Sequence, residues 1–149
     1  MISVEEALKH VMDNVQLLTP IEKPILDSLG LVIAEDITST ISIPPTDNSG
    51  MDGYAVRSED IRGANPNNPC TLKIIGEVAA GSMPDKVLEP MTAIRVMTGA
   101  TIPMGADTVI KFEDTNDLER INKIKDTENI LIYKSPLRGT AIRKAGEDI

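Results

Sequence analysis

Residues 44–57 read Pro-Pro-Thr-Asp-Asn-Ser-Gly-Met-Asp-Gly-Tyr-Ala-Val-Arg. Pro44 and Pro45 fix φ and stiffen the approach. Asp47, Asn48 and Ser49 carry short polar side chains that bond to nearby backbone and hold turns. Gly50 and Gly53 permit positive φ or a close approach of backbone. Apolar residues return at once with Tyr54, Ala55 and Val56, so a stiff turn feeds directly into a strand. Two readings follow. The stretch is a well-capped loop between strands, or it presents Asp47, Ser49 and Asp52 in fixed geometry to a polar ligand.

Beyond this turn the chain is a series of short β segments. Thr71–Ala79, Ala93–Met97, Thr108–Phe112, Asn129–Lys134 and Ala141–Arg143 read as strands. Leu72, Ile74 and Ile75 are the expected buried positions of the first of these. Gly/Pro-rich turns at 62–69, 80–84, 98–99, 103–107 and 136–139 separate them. Ser58 is placed to cap a helical turn over 58–61. Upstream, Ser3-Val-Glu-Glu6 is a capping box. Val4, Leu8, Val11, Met12 and Val15 follow at helical spacing, which predicts a helix over 4–15 with His10 on its flank. Residues 17–23, broken by Pro20, run extended. Pro24 and Gly30 bracket a short helix over 25–29. Residues 31–34 and 36–40 read as strand from their β-branched content. One helix among many short strands predicts a mainly β (α+β) fold with a short-stranded, barrel-like core, not a doubly wound sheet.

Composition excludes several function classes. Aromatic residues make up 2% of the chain, so the core is aliphatic and stacking platforms for single-stranded nucleic acid are lacking. A net charge of −8 with no basic run argues against nucleic acid and anionic membranes as partners. One cysteine, Cys70, and one histidine, His10, exclude a disulfide framework and any Cys/His-rich metal centre. The start, Met-Ile-Ser-Val-Glu-Glu, has no signal-peptide pattern, and no apolar run is long enough to span a bilayer. A cytoplasmic protein is the simplest expectation.

The polar chemistry rests on carboxylates and hydroxyls. Asp52 lies between Met51 and Gly53, where a carboxylate can accept a hydrogen bond, hold a cation, orient water or simply brace the turn. At Thr98-Gly99 a hydroxyl and a glycine amide can receive an anionic oxygen, unless Thr98 merely ends a strand. Asp107 reads as a turn cap. Asp148 follows Gly146 and Glu147, with Arg143 and Lys144 just upstream to meet phosphate; the alternative is a surface charge cluster. Glu113, Asp114, Asp117 and Glu119 form an acidic patch whose spacing matches no calcium loop and which reads as solvated. There is no Gly-x-x-x-x-Gly-Lys phosphate loop, Gly-x-Ser-x-Gly elbow or Cys/His pair. Such a set suits metal- or water-assisted chemistry at an anhydride better than covalent catalysis.

Three blocks resemble the MoeA family, the molybdopterin molybdenumtransferases, which include the E domain of gephyrin. Pro44–Arg57 is similar to the family's Pro-Pro-x-Asp-Asn-Ser-x-Met-Asp-Gly-Tyr-Ala. Residues 93–114 resemble its Ile-Met-Thr-Gly-Ala-x-x-Pro-x-Gly-Ala-Asp-x-Val block, and residues 142–149 its Arg-x-x-Gly-Glu-Asp-Ile. The resemblance implies a barrel-like domain over 54–138, inserted into a flanking module formed by 1–53 and 139–149. It implies that Asp52, Thr98 and Asp148 are catalytic, and that Ser49, Gly53, Gly99 and Arg143 contact substrate. The implied reaction inserts molybdate into adenylylated molybdopterin and releases AMP, with magnesium taking part. The implied site lies between subunits of a homodimer, opposite an α/β pterin-binding domain. Family members run considerably longer than this chain, so it is expected to correspond to their N-terminal region. Thr46 stands where the family usually has an aromatic and Gly50 where it has Ala, which is expected to loosen the loop. A non-catalytic dimerisation or scaffold module of the gephyrin type is the alternative.

Overall fold

The computed structural model describes residues 2–117 and 128–149. The chain divides between Thr38 and Ser39 into two compact units.

The first unit, Met1–Thr38, holds one α-helix, α1, Val4–Asp13. Its capping box forms as expected. The Glu6 amide donates to the Ser3 hydroxyl at 3.1 Å, and the Ser3 amide to the Glu6 carboxylate at 2.9 Å. The helix stops two residues short of the expected end, because the Asn14 side-chain amide turns back onto the His10 carbonyl at 2.8 Å. His10 is exposed. A single 3-10 turn, Ile25–Asp27, follows Pro24, and Gly30 takes φ +82° just after it. Residues 17–23 form no regular element. The strands expected over 31–34 and 36–40 do not form. β-Branched residues favour a strand only where a neighbour completes the ladder, and Leu31, Val32, Ile33 and Ile37 stand exposed with none beside them.

The second unit, Ser39–Ile149, carries the seven strands found among the described residues. In chain order they are β1 Asn48–Ser49, β2 Gly53–Val56, β3 Cys70–Val78, β4 Thr92–Val96, β5 Thr108–Lys111, β6 Asn129–Ile132 and β7 Ile142–Arg143. Five of them form one sheet in the order β5-β2-β4-β3-β6. All its pairs are antiparallel except β3 with β4. The sheet curls towards closure: Thr115, just past β5, bridges back to Ile132 of β6. β1 and β7 pair separately, Asn48 against Arg143 and Ser49 against Ile142.

β2 lies between β5 and β4, and all four of its residues are buried. A strand covered on both faces needs a continuous apolar run, and Tyr54-Ala-Val supplies it. Alternation then divides the core. Tyr54 and Val56 face one cluster with Ile61, Leu72, Ala93, Ile110, Ile130 and Ile132. Ala55 faces the other, with Val78, Leu88, Ile94, Val96, Ala100 and Val109. The cores are aliphatic; Tyr54 is their one aromatic, with Phe112 packed edge-on against it at 5.6 Å between ring centroids. Leu72 is buried as expected, whereas Ile74 and Ile75 are half-buried.

Gly53 shows why a glycine opens β2. A Cβ there would lie 1.9 Å from the Ile110 carbonyl oxygen of β5. The close approach that this glycine permits is therefore to a neighbouring strand. Ser58 does not cap its own turn: its amide and hydroxyl both donate to Asp107, at 2.7 and 3.0 Å. Asp107 also faces Arg138 Nε at 3.2 Å. It thus ties three loops together, in keeping with its reading as a turn residue.

Candidate functional site

Residues 43–53 are clamped from both sides. On one side lies the turn after β4. The Ser49 amide donates to the Ala100 carbonyl and the Gly99 amide to the Ser49 carbonyl, both at 2.8 Å. The Ile102 amide donates to the Asp47 carbonyl at 2.9 Å. On the other side lies the C-terminal segment. The Gly50 amide donates to the Ala141 carbonyl at 2.8 Å, and the Asp148 amide to the Ile43 carbonyl at 2.9 Å. Lys144 Nζ reaches Asp47 Oδ2 at 2.6 Å, and the Ala145 amide reaches Asp47 Oδ1 at 3.0 Å. The departures from the family pattern therefore do not free the loop. Thr46 shares a 2.9 Å hydrogen bond with the Asn48 side chain and lies 3.3 Å from the Thr101 hydroxyl. Gly50 would carry a Cβ no closer than 3.4 Å to any neighbour, so glycine is not demanded there.

Two pairs of expected site residues flank β1. Asp52 and Thr98 meet: the Thr98 amide and hydroxyl both donate to Asp52 Oδ1, at 2.7 and 2.8 Å. Both residues are exposed. Asp52 sits just before β2 and Thr98 two residues past β4, so the pairing of β2 with β4 brings them side by side. Arg143 and Asp148 form the second pair, with Nη2 and Oδ1 2.5 Å apart.

The other expected residues lie differently. Ser49 is buried and its hydroxyl donates to the Met51 carbonyl, which turns it into the loop. Gly53 is filled against β5. Gly99 takes φ +82°, the left-handed turn that favours glycine, and its amide is already donated to Ser49. An open anion-binding pair at Thr98-Gly99 is thus not formed, because the loop and Asp52 have taken both amides and the hydroxyl. Asp47, too, is spent on the clamp.

These contacts set the ionisation. The Thr98 amide, then its hydroxyl, hold the Asp52 carboxyl below the usual carboxylate range, with a smaller contribution from the Arg95 charge. The Lys144 ammonium, then the Ala145 amide, do the same for Asp47. Asp148 beside Arg143 raises the guanidinium further above its ordinary value. Asp52 is accordingly an ionised carboxylate at neutral pH, with Oδ1 fixed and Oδ2 open.

Depressed carboxyl groups give an acid-side stability prediction. Asp47 stabilises the fold above its unfolded pKa of 3.8, and this is lost as pH falls through the lower folded value. The stability difference between wild type and Asp47→Asn is expected to shrink below about pH 4 and to stay constant from there to pH 7. Urea midpoints measured across that range check this; a difference that grows on acidification would remove the clamp from the account.

In the acidic patch, Asp114 pairs with Lys134 at 2.9 Å and Asp117 approaches Arg95 at 3.9 Å; Glu119 lies outside the described residues. Among the described residues no three His, Cys, Asp or Glu side chains gather as a metal cluster, and no helix is long and apolar enough to cross a membrane.

The family model described as MoeA N-terminal region (domain I and II) matches residues 2–149. This chain belongs to the MoeA N-terminal region family. Molybdopterin molybdenumtransferase 2 of Mycobacterium tuberculosis is 37% identical over 147 residues, which are 99% of this chain and 34% of that protein. Molybdopterin molybdenumtransferase of Staphylococcus epidermidis is 41% identical over 141 residues, covering 92% of this chain and 34% of that protein. A crystal structure of MoeA from Pyrococcus horikoshii superposes with a TM-score of 0.81 at 36% identity, over 97% of this chain and 36% of the other. The mostly β fold, with one α-helix among the described residues, is thus a MoeA N-terminal fold, and the chain spans about a third of the length of these relatives.

Two features around these residues were not singled out in the sequence. One is the Asp47–Lys144 clamp, which joins residues 97 positions apart. The other is Arg95, the one charged residue in the run Ala-Ile-Arg-Val-Met, whose place in an otherwise apolar strand was a signal.

Proposed function

We propose that this chain is the N-terminal part of a molybdopterin molybdenumtransferase, which inserts molybdate into adenylylated molybdopterin and releases AMP in molybdenum cofactor biosynthesis. The observation that carries this reading is the Asp52–Thr98 pair, held at the rim of a MoeA fold by two bonds to one carboxylate oxygen. In this reading Thr98 fixes Asp52 in orientation and keeps it ionised. The open oxygen then orients a water or a substrate proton beside the phosphoanhydride. Asp148, steadied by Arg143, contributes from the other side of β1. Ser49, Gly53 and Gly99 serve by shaping the loop, and Arg143 adds positive charge at the rim.

Magnesium fits this site only as a shared ligand. The chain offers the open oxygen of Asp52, and magnesium is commonly held by one or two carboxylates with phosphate oxygens and waters. When bound, it would neutralise charge on the anhydride. In the full-length protein, segments 1–53 and 139–149 flank an inserted domain over 54–138. An α/β domain supplies the pterin site across a homodimer cleft. The protein works in the cytoplasm on a small-molecule substrate, without nucleic acid or membrane.

The test is molybdate-dependent release of AMP from adenylylated molybdopterin by the full-length protein. Release that needs both molybdate and magnesium is the expected outcome. A full-length protein that binds the adenylate and never releases AMP would remove the assignment.

A further inference from the structure

The ionised Asp52 poses an electrostatic problem that the known motifs leave open. A carboxylate fixed beside an anionic substrate repels it, so a side-chain cation nearby would aid binding alongside any shared magnesium. The cations of the motifs are not free. Lys144 is bound to Asp47, and Arg143 to Asp148 and Glu147. Elsewhere in this unit Arg57 is paired with Glu59, Arg138 with Asp107, and Lys134 with Asp114.

Arg95 is different. It lies on β4 directly opposite Tyr54 of β2, so the two side chains share one face of the sheet. Its guanidinium carbon sits 4.9 Å from the centre of the Phe112 ring, a cation–π distance. Phe112 is itself fixed edge-on by Tyr54, and its amide donates to the Asp52 carbonyl at 3.2 Å. One aromatic therefore links the backbone of Asp52 to the guanidinium of Arg95. Asp117 forms an ion pair with Arg95 Nη2 at 3.9 Å, too long for a hydrogen bond. Arg95 Nε is buried and has no partner. Among the described residues the guanidinium is thus held by stacking and by a long ion pair to Asp117, makes no hydrogen bond, and its side chain remains 38% exposed. A planar fork oriented in advance by an aromatic face is the arrangement that binds phosphate in two-pronged fashion.

We propose that Arg95, stacked on Phe112, is the anion contact of the Asp52–Thr98 site and binds the phosphate-bearing part of the substrate. This rests on the molybdenumtransferase reading and names a residue that binds that substrate. Lys111 provides the internal control. It is opposite Gly53, one position out of phase with Arg95, so it lies on the other face of the sheet.

The experiment uses full-length protein with Arg95→Gln, Arg95→Lys, Lys111→Gln and Asp52→Asn. It measures KM and kcat for molybdate-dependent AMP release, and the salt dependence of KM. Arg95→Gln is expected to raise KM for adenylylated molybdopterin roughly ten- to hundred-fold, the effect of losing a charge-assisted hydrogen bond. It should change kcat far less and flatten the salt dependence. Arg95→Lys recovers part of the affinity, and Lys111→Gln leaves KM unchanged. Should Arg95→Gln fail to fold, the KM of Arg95→Lys decides, because lysine keeps the charge without the two-pronged geometry and is expected to bind several-fold more weakly than wild type. An unshifted KM in the folded variant overturns the assignment of Arg95. If Asp52→Asn is inactive at the same time, only that assignment falls. If Asp52→Asn is also fully active, the site reading falls with it.

Discussion

Gly53→Ala destabilises the second unit by about 3 kcal/mol or more, enough to unfold a marginally stable domain. The new Cβ would lie 1.9 Å from the Ile110 oxygen, 2.8 Å from the Ile110 carbonyl carbon and 2.9 Å from the Lys111 Cα. All three atoms are backbone, so no rotamer change relieves the clash. β5 would have to part from β2 along the register from Gly53–Lys111 to Val56–Thr108. Val109 and Ile110, which are 2% and 1% exposed, would lose the packing that buries them. Each such side chain contributes about 1.5–3 kcal/mol through burial, which sets the scale of the loss. Gly63→Ala is the contrast. Gly63 takes φ +79° in open space, so an alanine there meets only backbone strain of about 1–2 kcal/mol. Urea midpoints of the two variants separate clash from strain. A Gly53→Ala protein within about 0.5 kcal/mol of wild type would contradict the close approach of β5 to β2.

Gly53 also shows what a sequence reveals and what it hides. A glycine between an aspartate and a tyrosine is visible as a close-approach position, but the identity of the approaching group depends on which strand pairs there. Local patterns located α1 and β2 to β6 well, because each has its own periodicity, cap or turn residues. Residues 31–40 misled for the opposite reason: Ile, Val and Thr favour a strand anywhere, and only a partner makes one. β1 went unseen because two residues, Asn48 and Ser49, have no period; they are a strand only against Ile142 and Arg143. The site divides in the same way. Asp52 and Thr98 were legible as separate motif residues, and their contact follows from the pairing of β2 with β4, which no local signal sets. Gly99 was legible as a turn glycine, yet its amide was spoken for by Ser49, a residue 50 positions earlier. Asp47 could be read as a turn residue or as a ligand group, and its distant partner Lys144 is visible only in the fold.

Asp52→Asn is expected to lower molybdate-dependent AMP release by the full-length protein about 100-fold or more, with fold and oligomeric state intact. The substitution is chosen because the geometry survives it. An asparagine oxygen at the Oδ1 position still accepts the Thr98 amide and hydroxyl, now at 2.7 and 2.8 Å from the carboxylate. The side chain is exposed, so no buried group is left unpaired by the change. What disappears is the negative charge and the open acceptor at Oδ2. A hundred-fold loss corresponds to about 2.7 kcal/mol of transition-state stabilisation, within the range for a positioned acid–base group. The loss should fall mainly in kcat, since the carboxylate repels rather than binds an anionic substrate. Thr98→Val then separates charge from orientation. It removes the hydroxyl bond but keeps the backbone amide bond, so Asp52 stays ionised with one tether fewer. A smaller reduction, about ten-fold, is expected there, and Thr98→Ser should restore most of it. If both Asp52→Asn and Thr98→Val turn over like wild type, Asp52 only fastens the start of β2 to the turn after β4. The chemistry of this family must then be carried by groups other than this pair.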